Sequence, residues 1–390
     1  MKIARLETFT FEASTEGSSE RLDPSSHTIV VRLTDVDGRT GIGEADAPPD
    51  AVRAFLEMRH AHDLSQRLSD LLIGADPLEA PALWDRSYEA TLYTGRRGLG
   101  IHALSAVDMA LYDLAGKQYQ VPAYRLLGGA RRARLTPYAT CYVGSAADRT
   151  VTQHTDALLD LLRRAVALGF RAVKAELLFP EMTSDQLIAA IRAAREAVGP
   201  NIELIADFGY RFTDWREAAY VLRASEDCRL FFAEATLSHD DLAGHARLAD
   251  AVAVRIGGAE FAATRWECRE WLERGKVDVL QPDINRCGGL TEIRRIAEMA
   301  QWYGALVVPH AWKTGITVAA CRHFQAATAN APFFEFLSPL LWPSELRRAL
   351  VTPEPTLAED GTMALPDAPG LGVALTSGDF PETSHAETAP

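Results

Sequence analysis

Alternation of apolar and polar residues over 27–45 predicts two β-strands, with Asp37-Gly38 between them as the turn of a hairpin. The spacing then lengthens to three and four residues over 51–72 and 101–117, which predicts helices. Strands followed by helices make residues 1–130 a small α+β unit, interrupted by the polar stretch Ser14 to Ser26, which reads as a mobile loop. Beyond residue 132 the pattern changes. Short apolar runs at 135–141, 171–177, 202–207, 230–234, 252–256, 277–283, 305–310 and 333–336 alternate with amphipathic stretches, and eight such runs predict a β/α barrel over 131–341. From Trp342 onward Pro and Gly are frequent, and residues 377–390 have the composition of a frayed tail.

A chain of 390 residues exceeds the size at which one core stops growing, in keeping with two domains. The net charge of −13 disfavours nucleic acid and anionic membranes as partners, because phosphate binding needs a basic patch. The N-terminus has no apolar signal core and no run of about 18 apolar residues follows, so the chain reads as cytoplasmic. Its five cysteines, Cys141, Cys228, Cys268, Cys287 and Cys321, are far apart and lack a CxxC pair, which suits reduced buried thiols rather than structural zinc.

Six titratable residues end or follow successive apolar runs: Asp207, Glu234, Glu260, Asp283, His310 and Glu335, at intervals of 27, 26, 23, 27 and 25. One strand, one helix and their loops take roughly 25–30 residues in a β/α barrel, so all six top successive strands at one mouth. Asp207, Glu234 and Glu260 are then neighbours that repel one another unless a cation lies between them, and a hard ion such as Mg²⁺ suits such an oxygen set. Any one of them alone reads as a solvated strand-end acid. Asp283 beside His310 gives a carboxylate that fixes an imidazole tautomer, as a general base requires. Lys174 and Glu176 alternate on the second run and share a face. Lys174 either pairs with nearby acids or holds a substrate carboxylate.

These residues resemble the enolase superfamily, in particular its mandelate racemase-like group. The likeness extends to Ala103, Leu104, Ser105, Ala106, Val107 and Asp108, continuing through Ala110, Asp113, Gly116, Lys117, Pro122 and Leu126-Leu127-Gly128-Gly129. The resemblance implies an α/β fold with a modified TIM-type (β/α)7β barrel, capped by an N-terminal α+β domain that segment 342–390 completes. It implies one Mg²⁺ per chain on Asp207, Glu234 and Glu260, catalysis by the Asp283–His310 pair with Lys174, and Glu335 as a substrate contact. It further implies a small-molecule sugar acid as substrate, no nucleic acid or membrane partner, and a homo-oligomer.

Three departures stand out. The second strand of that group commonly carries Lys-x-Lys, whereas this chain has Lys174-Ala175-Glu176, which argues against two-base racemisation and leaves Glu176 as the alternative acid or base. Asp207 is followed by Phe208-Gly209, and Glu234 by Ala235-Thr236, in place of the usual polar residues. The expected activity is dehydration of a sugar acid to a 2-keto-3-deoxy acid; the alternatives are a cycloisomerase or epimerase on the same enolate, or a catalytically silent metal-binding barrel. Trp312 and Lys313 are candidates for substrate hydroxyls. Ser14 to Ser26 and Tyr93 to Arg97 are expected to select the distal end of the substrate, Arg96 and Arg97 by pairing a second carboxylate.

Overall fold

The hairpin forms from strands His27–Asp35 and Thr40–Ala45, joined by a turn in which Gly38 takes a φ of 83° and donates its N–H to the Asp35 carbonyl at 3.0 Å. The computed structural model describes residues 2–12, 27–144, 149–342, 344–376 and 383–388; the Ser14 to Ser26 loop lies outside them. Ile3–Glu12 pairs antiparallel with His27–Asp35 on one side and with Thr383–Thr388 on the other, giving a four-stranded sheet. Residues 383–388 therefore do not fray. They cover the edge of Ile3–Glu12, whose backbone groups would otherwise face outward unpaired.

The periodic stretch 51–72 divides into two helices, Pro49–Leu56 and Leu68–Leu72, with the largely exposed residues 57–64 between them. The stretch 101–117 lies inside one helix, Leu99–Tyr119, buried along nearly its whole length. Its small residues allow close packing on the sheet: a Cβ at Gly43 would fall 2.1 Å from the Ala106 carbonyl oxygen. Asp113 ties the layers together, accepting from the N–H of Ile42 and of Leu371 at 2.8 Å each and from Lys117 Nζ at 2.7 Å.

Eight parallel strands build the barrel: Pro137–Cys141, Ala172–Glu176, Glu203–Asp207, Leu230–Glu234, Gly257–Gly258, Val279–Leu280, Leu306–Val307 and Phe334–Phe336. The eighth pairs with the first, Glu335 opposite Tyr138, and the bridge Ala233–Ile256 joins the fourth to the fifth. The Glu335 N–H donates to the Pro309 carbonyl at 3.2 Å and closes the ring. Between consecutive strands run seven major helices among the described residues, from Val151–Ala167 to Gly315–Ala327. Thr150 with Gln153 and Thr183 with Gln186 form reciprocal caps that start the first two, satisfying backbone N–H groups that a helix leaves unpaired.

Among the described residues no helix is long and apolar enough to cross a membrane. All five cysteines are free and buried.

Candidate active site

Side chains on a strand alternate between faces, so residues two apart stack along the barrel axis. Tyr138, Ala172, Ile205, Phe232, Val279 and Val308 fill the interior as one apolar cluster. Two residues further along the same faces stand Thr140, Lys174, Asp207, Glu234, Gln281 and His310, so a polar layer rests on a dry plug. Above it opens a cavity of about 250 Å³ lined by Lys174, Glu176, Asp207, Glu260 and His310, with Tyr142, Tyr210, Trp312, Leu178, Gly209 and Ala235.

Lys174 is the hub of one half of this mouth. Its buried Nζ lies 2.8 Å from Glu335 Oε1, 2.9 Å from Glu234 Oε1, 3.3 Å from Asp207 Oδ2 and 4.0 Å from Glu176 Oε1. Burial alone would discharge the amine, but Glu234 and Glu335 outweigh it and hold its pKa well above the usual lysine range. Burial and then the neighbouring acids push the other way on the carboxylates: Glu234 rises to about 8 and Glu176 goes well above its ordinary value, in each case against the pull of Lys174. Glu335 is the exception. Burial would raise it, yet Lys174 and His310 bring it down to about 2.

Across the cavity His310 Nδ1 lies 2.5 Å from Asp283 Oδ2, and the Asn285 N–H fixes the other Asp283 oxygen at 2.7 Å. The free edge, Nε2, points between Glu260 and Glu335, each 3.8 Å away. Burial disfavours the imidazolium, but Glu335, Glu260 and Asp283 together raise its pKa to about 10. Three non-glycine residues with positive φ flank the trio of acids: Tyr210 at 61°, Ala235 at 49° and Ala259 at 84°. The chain bends sharply beside each strand-end acid, a placement of backbone strain common at functional sites.

The chain matches known proteins over nearly its whole length. Residues 22–128 match the mandelate racemase / muconate lactonizing enzyme N-terminal domain, and residues 157–379 match the enolase C-terminal domain-like family. The chain belongs to the enolase superfamily. It is 33% identical over 383 residues to a D-galactarolactone cycloisomerase of Agrobacterium fabrum, covering 96% of this chain and 97% of that one. It is 32% identical over 385 residues to an arabinonate dehydratase of Saccharolobus solfataricus, with the same coverage, 96% and 97%. A solved structure provisionally described as a racemase superposes with a TM-score of 0.89 at 44% identity, covering 96% of each chain.

The magnesium ion that the superfamily implies can be tested against these donors. Asp207 and Glu234 sit opposite each other in the strand register, and Glu260 follows the adjacent fifth strand. Their side chains nevertheless do not meet: among the described residues no three His, Cys, Asp or Glu are gathered closely enough to hold one ion. Lys174 draws Asp207 and Glu234 to itself, while Glu260 turns toward Tyr210 and His310. The donor chemistry still fits a hard divalent cation. Acids outnumber cations, and Glu234 Oε2 and Glu176 Oε1 are buried without hydrogen-bond partners.

Several expectations change. Glu335 does not line the cavity; it accepts from Thr140 Oγ1 at 2.5 Å and the Ala311 N–H at 2.8 Å, and Lys174 and His310 hold its pKa low. Lys313 also misses the cavity: its buried Nζ reaches Asp46 Oδ1 at 3.1 Å and the His27 carbonyl at 3.0 Å, both in the N-terminal domain, because a buried ammonium must find acceptors. Arg97 pairs with Glu267 at 2.7 Å, and neither it nor Arg96 lines the cavity. Trp312 does line it, edge to face with Tyr142 at 5.3 Å, with its Nε1 lacking a partner. Tyr142 and Tyr210 went unread in the sequence. The available signal for Tyr142 was its place two residues beyond Thr140, on the inward face of the first strand.

Proposed function

We propose that the chain abstracts the α-proton of a sugar acid and then expels its β-hydroxyl, giving a 2-keto-3-deoxy acid. The observation that carries this reading is the 2.5 Å His310–Asp283 pair, which faces Lys174 and Glu176 across one cavity. Asp207, Glu234 and Glu260 are the residues that would hold a magnesium ion, which supplies positive charge to the substrate carboxylate and to the enediolate formed from it.

The remaining work falls to side chains. Lys174 orients the carboxylate by charge. Asp283 anchors Nδ1 of His310, leaving Nε2 to take the proton from the α-carbon once balancing of the acid charge around it lets the imidazole become neutral. Glu176, whose pKa burial raises, lines the same cavity and is the acid assigned to protonate the departing hydroxyl. Tyr142 and Trp312 wall the cavity with aromatic surface, and Lys174 and His310 are its only cationic groups among the described residues. Both serve the reacting end, and among the described residues no further cation faces the cavity.

A second reading, cycloisomerisation, is supported by the 33% identity to the D-galactarolactone cycloisomerase. Incubation with a sugar acid library in deuterated water separates the two. His310→Asn abolishes deuterium uptake at the α-carbon, and Glu176→Gln keeps uptake but stops keto acid formation. Retained uptake in His310→Asn overturns the assignment of the base. A product that is never a keto acid moves the chain to the second reading.

A further inference from the structure

The two members of the His310–Asp283 pair come from different loops, after the sixth and seventh strands, which meet directly at the pair itself and where Asn285 Nδ2 donates to Thr317 Oγ1 at 2.8 Å. A residue of the N-terminal domain adds a second bridge between them. Asp46, one residue past strand Thr40–Ala45 and buried, places Oδ2 at 2.5 Å from Arg286 Nη2 and Oδ1 at 3.1 Å from Lys313 Nζ. Arg286 is three residues from Asp283, and its N–H donates to the Asp283 carbonyl at 3.0 Å. Lys313 is three residues from His310 on the other loop.

We propose that Asp46 is a positioning residue for the His310–Asp283 pair, one carboxylate clamping the two loops that carry its members. The clamp also restrains Arg286. This guanidinium is mostly buried, its side chain 15% exposed, and Asp283 and Glu260 attract it as well as Asp46. Freed from Asp46, it is left to the pull of Asp283 and competes with His310 for that carboxylate. The two cations, Arg286 and Lys313, would also be left buried without the charge that lies between them, an arrangement that low-dielectric surroundings penalise. Consistent with a strongly held pair of contacts, burial would raise the Asp46 pKa but Arg286 and Lys313 bring it to about 2. Glu44, two residues earlier, binds the same loop further on, accepting from the N–H of Thr314 at 3.2 Å and of Thr317 at 2.9 Å. Seating of the N-terminal domain thereby sets the geometry of the pair.

The test uses the full chain and two readouts. The first is the downfield proton resonance of the hydrogen bond between His310 Nδ1 and Asp283, which needs no substrate. The second, which rests on the proposed role of His310, is α-proton exchange with whichever sugar acid the enzyme accepts. Asp46→Asn is expected to shift or erase the resonance and to lower kcat for exchange by about 10²-fold, the scale of a small misplacement, with KM within about twofold. Asp46→Glu is expected to restore part of both. Asp108→Asn, which removes a different contact between the domains, is expected to leave the resonance in place. If Asp46→Asn does not fold, Lys313→Met breaks one arm of the clamp and is read in the same way. An unmoved resonance in folded Asp46→Asn, or an equal change in Asp108→Asn, overturns the proposal. Failure to process any sugar acid sinks the proposed function alone, because the resonance still decides the clamp.

Discussion

The two halves of the barrel mouth are held by different charge contacts. On the histidine side the working contact is already made, with Nδ1 at 2.5 Å from Asp283 and that carboxylate held from behind by the Asn285 N–H. On the acid side, Asp207, Glu234 and Glu260 are neighbours by backbone and yet not gathered, because the Lys174 ammonium pulls two of them inward. The difference follows from charge. A base needs one acid partner, so its contact closes by itself. Several like charges in one buried space come together only around a cation, and within the chain the available one is the lysine.

The largest effect should come from the histidine half. Asp283→Asn is expected to lower α-proton exchange by about 10²–10⁴-fold, since the tautomer is no longer fixed, with the loss in kcat rather than in metal affinity. Equal losses in both would mean that the halves are not separable.

Lys174→Met tests the other half. Removing the ammonium at the centre of these buried acids is expected to destabilise the chelated protein by about 3–5 kcal/mol in denaturant titrations, with part of that recovered by saturating Mg²⁺. A variant as stable as the parent would show that the lysine does not hold the acids.

Asp108 belongs to neither half and serves as a contrast. Buried, it accepts from the Thr291 N–H at 2.8 Å and Oγ1 at 2.7 Å, and burial pushes its pKa up to about 7 despite those bonds. Between the ordinary aspartate value and about 7 the folded chain holds the extra proton, so stability declines as pH rises through that window. The slope is at most about 1.4 kcal/mol per pH unit. Asp108→Asn should make the decline shallower, leaving the share of the barrel-mouth acids, without changing exchange, as measured by melting curves from pH 4 to 8. The smallest effect is expected at Trp312→Phe, which keeps the apolar wall and loses one N–H: a rise in KM of a few fold with kcat nearly unchanged.

Much of this was legible from spacing. A barrel repeat puts one strand end every 25 residues or so, which placed the acids and the histidine in order around a single mouth before any contact was known. Alternation likewise put Lys174 and Glu176 on one face, and the structure has them 4.0 Å apart. Lys313 was misread because a lysine three residues past His310 reads as a reach into the cavity, and only the folded N-terminal domain supplies Asp46 and the His27 carbonyl as its partners. Glu335 was misread for a similar reason. Expected as a substrate contact, it is instead engaged by Lys174 and Thr140, which are 161 and 195 positions away in the chain.

The residues alone determined the strand faces, the order of charged groups around the barrel and the superfamily, because periodicity is a local property that burial enforces repeat by repeat. Tertiary structure decided which acid faces which cation, which groups line the cavity and which lie beneath it. Coulomb energy and desolvation depend on distances across the fold, and no spacing along the chain specifies those distances.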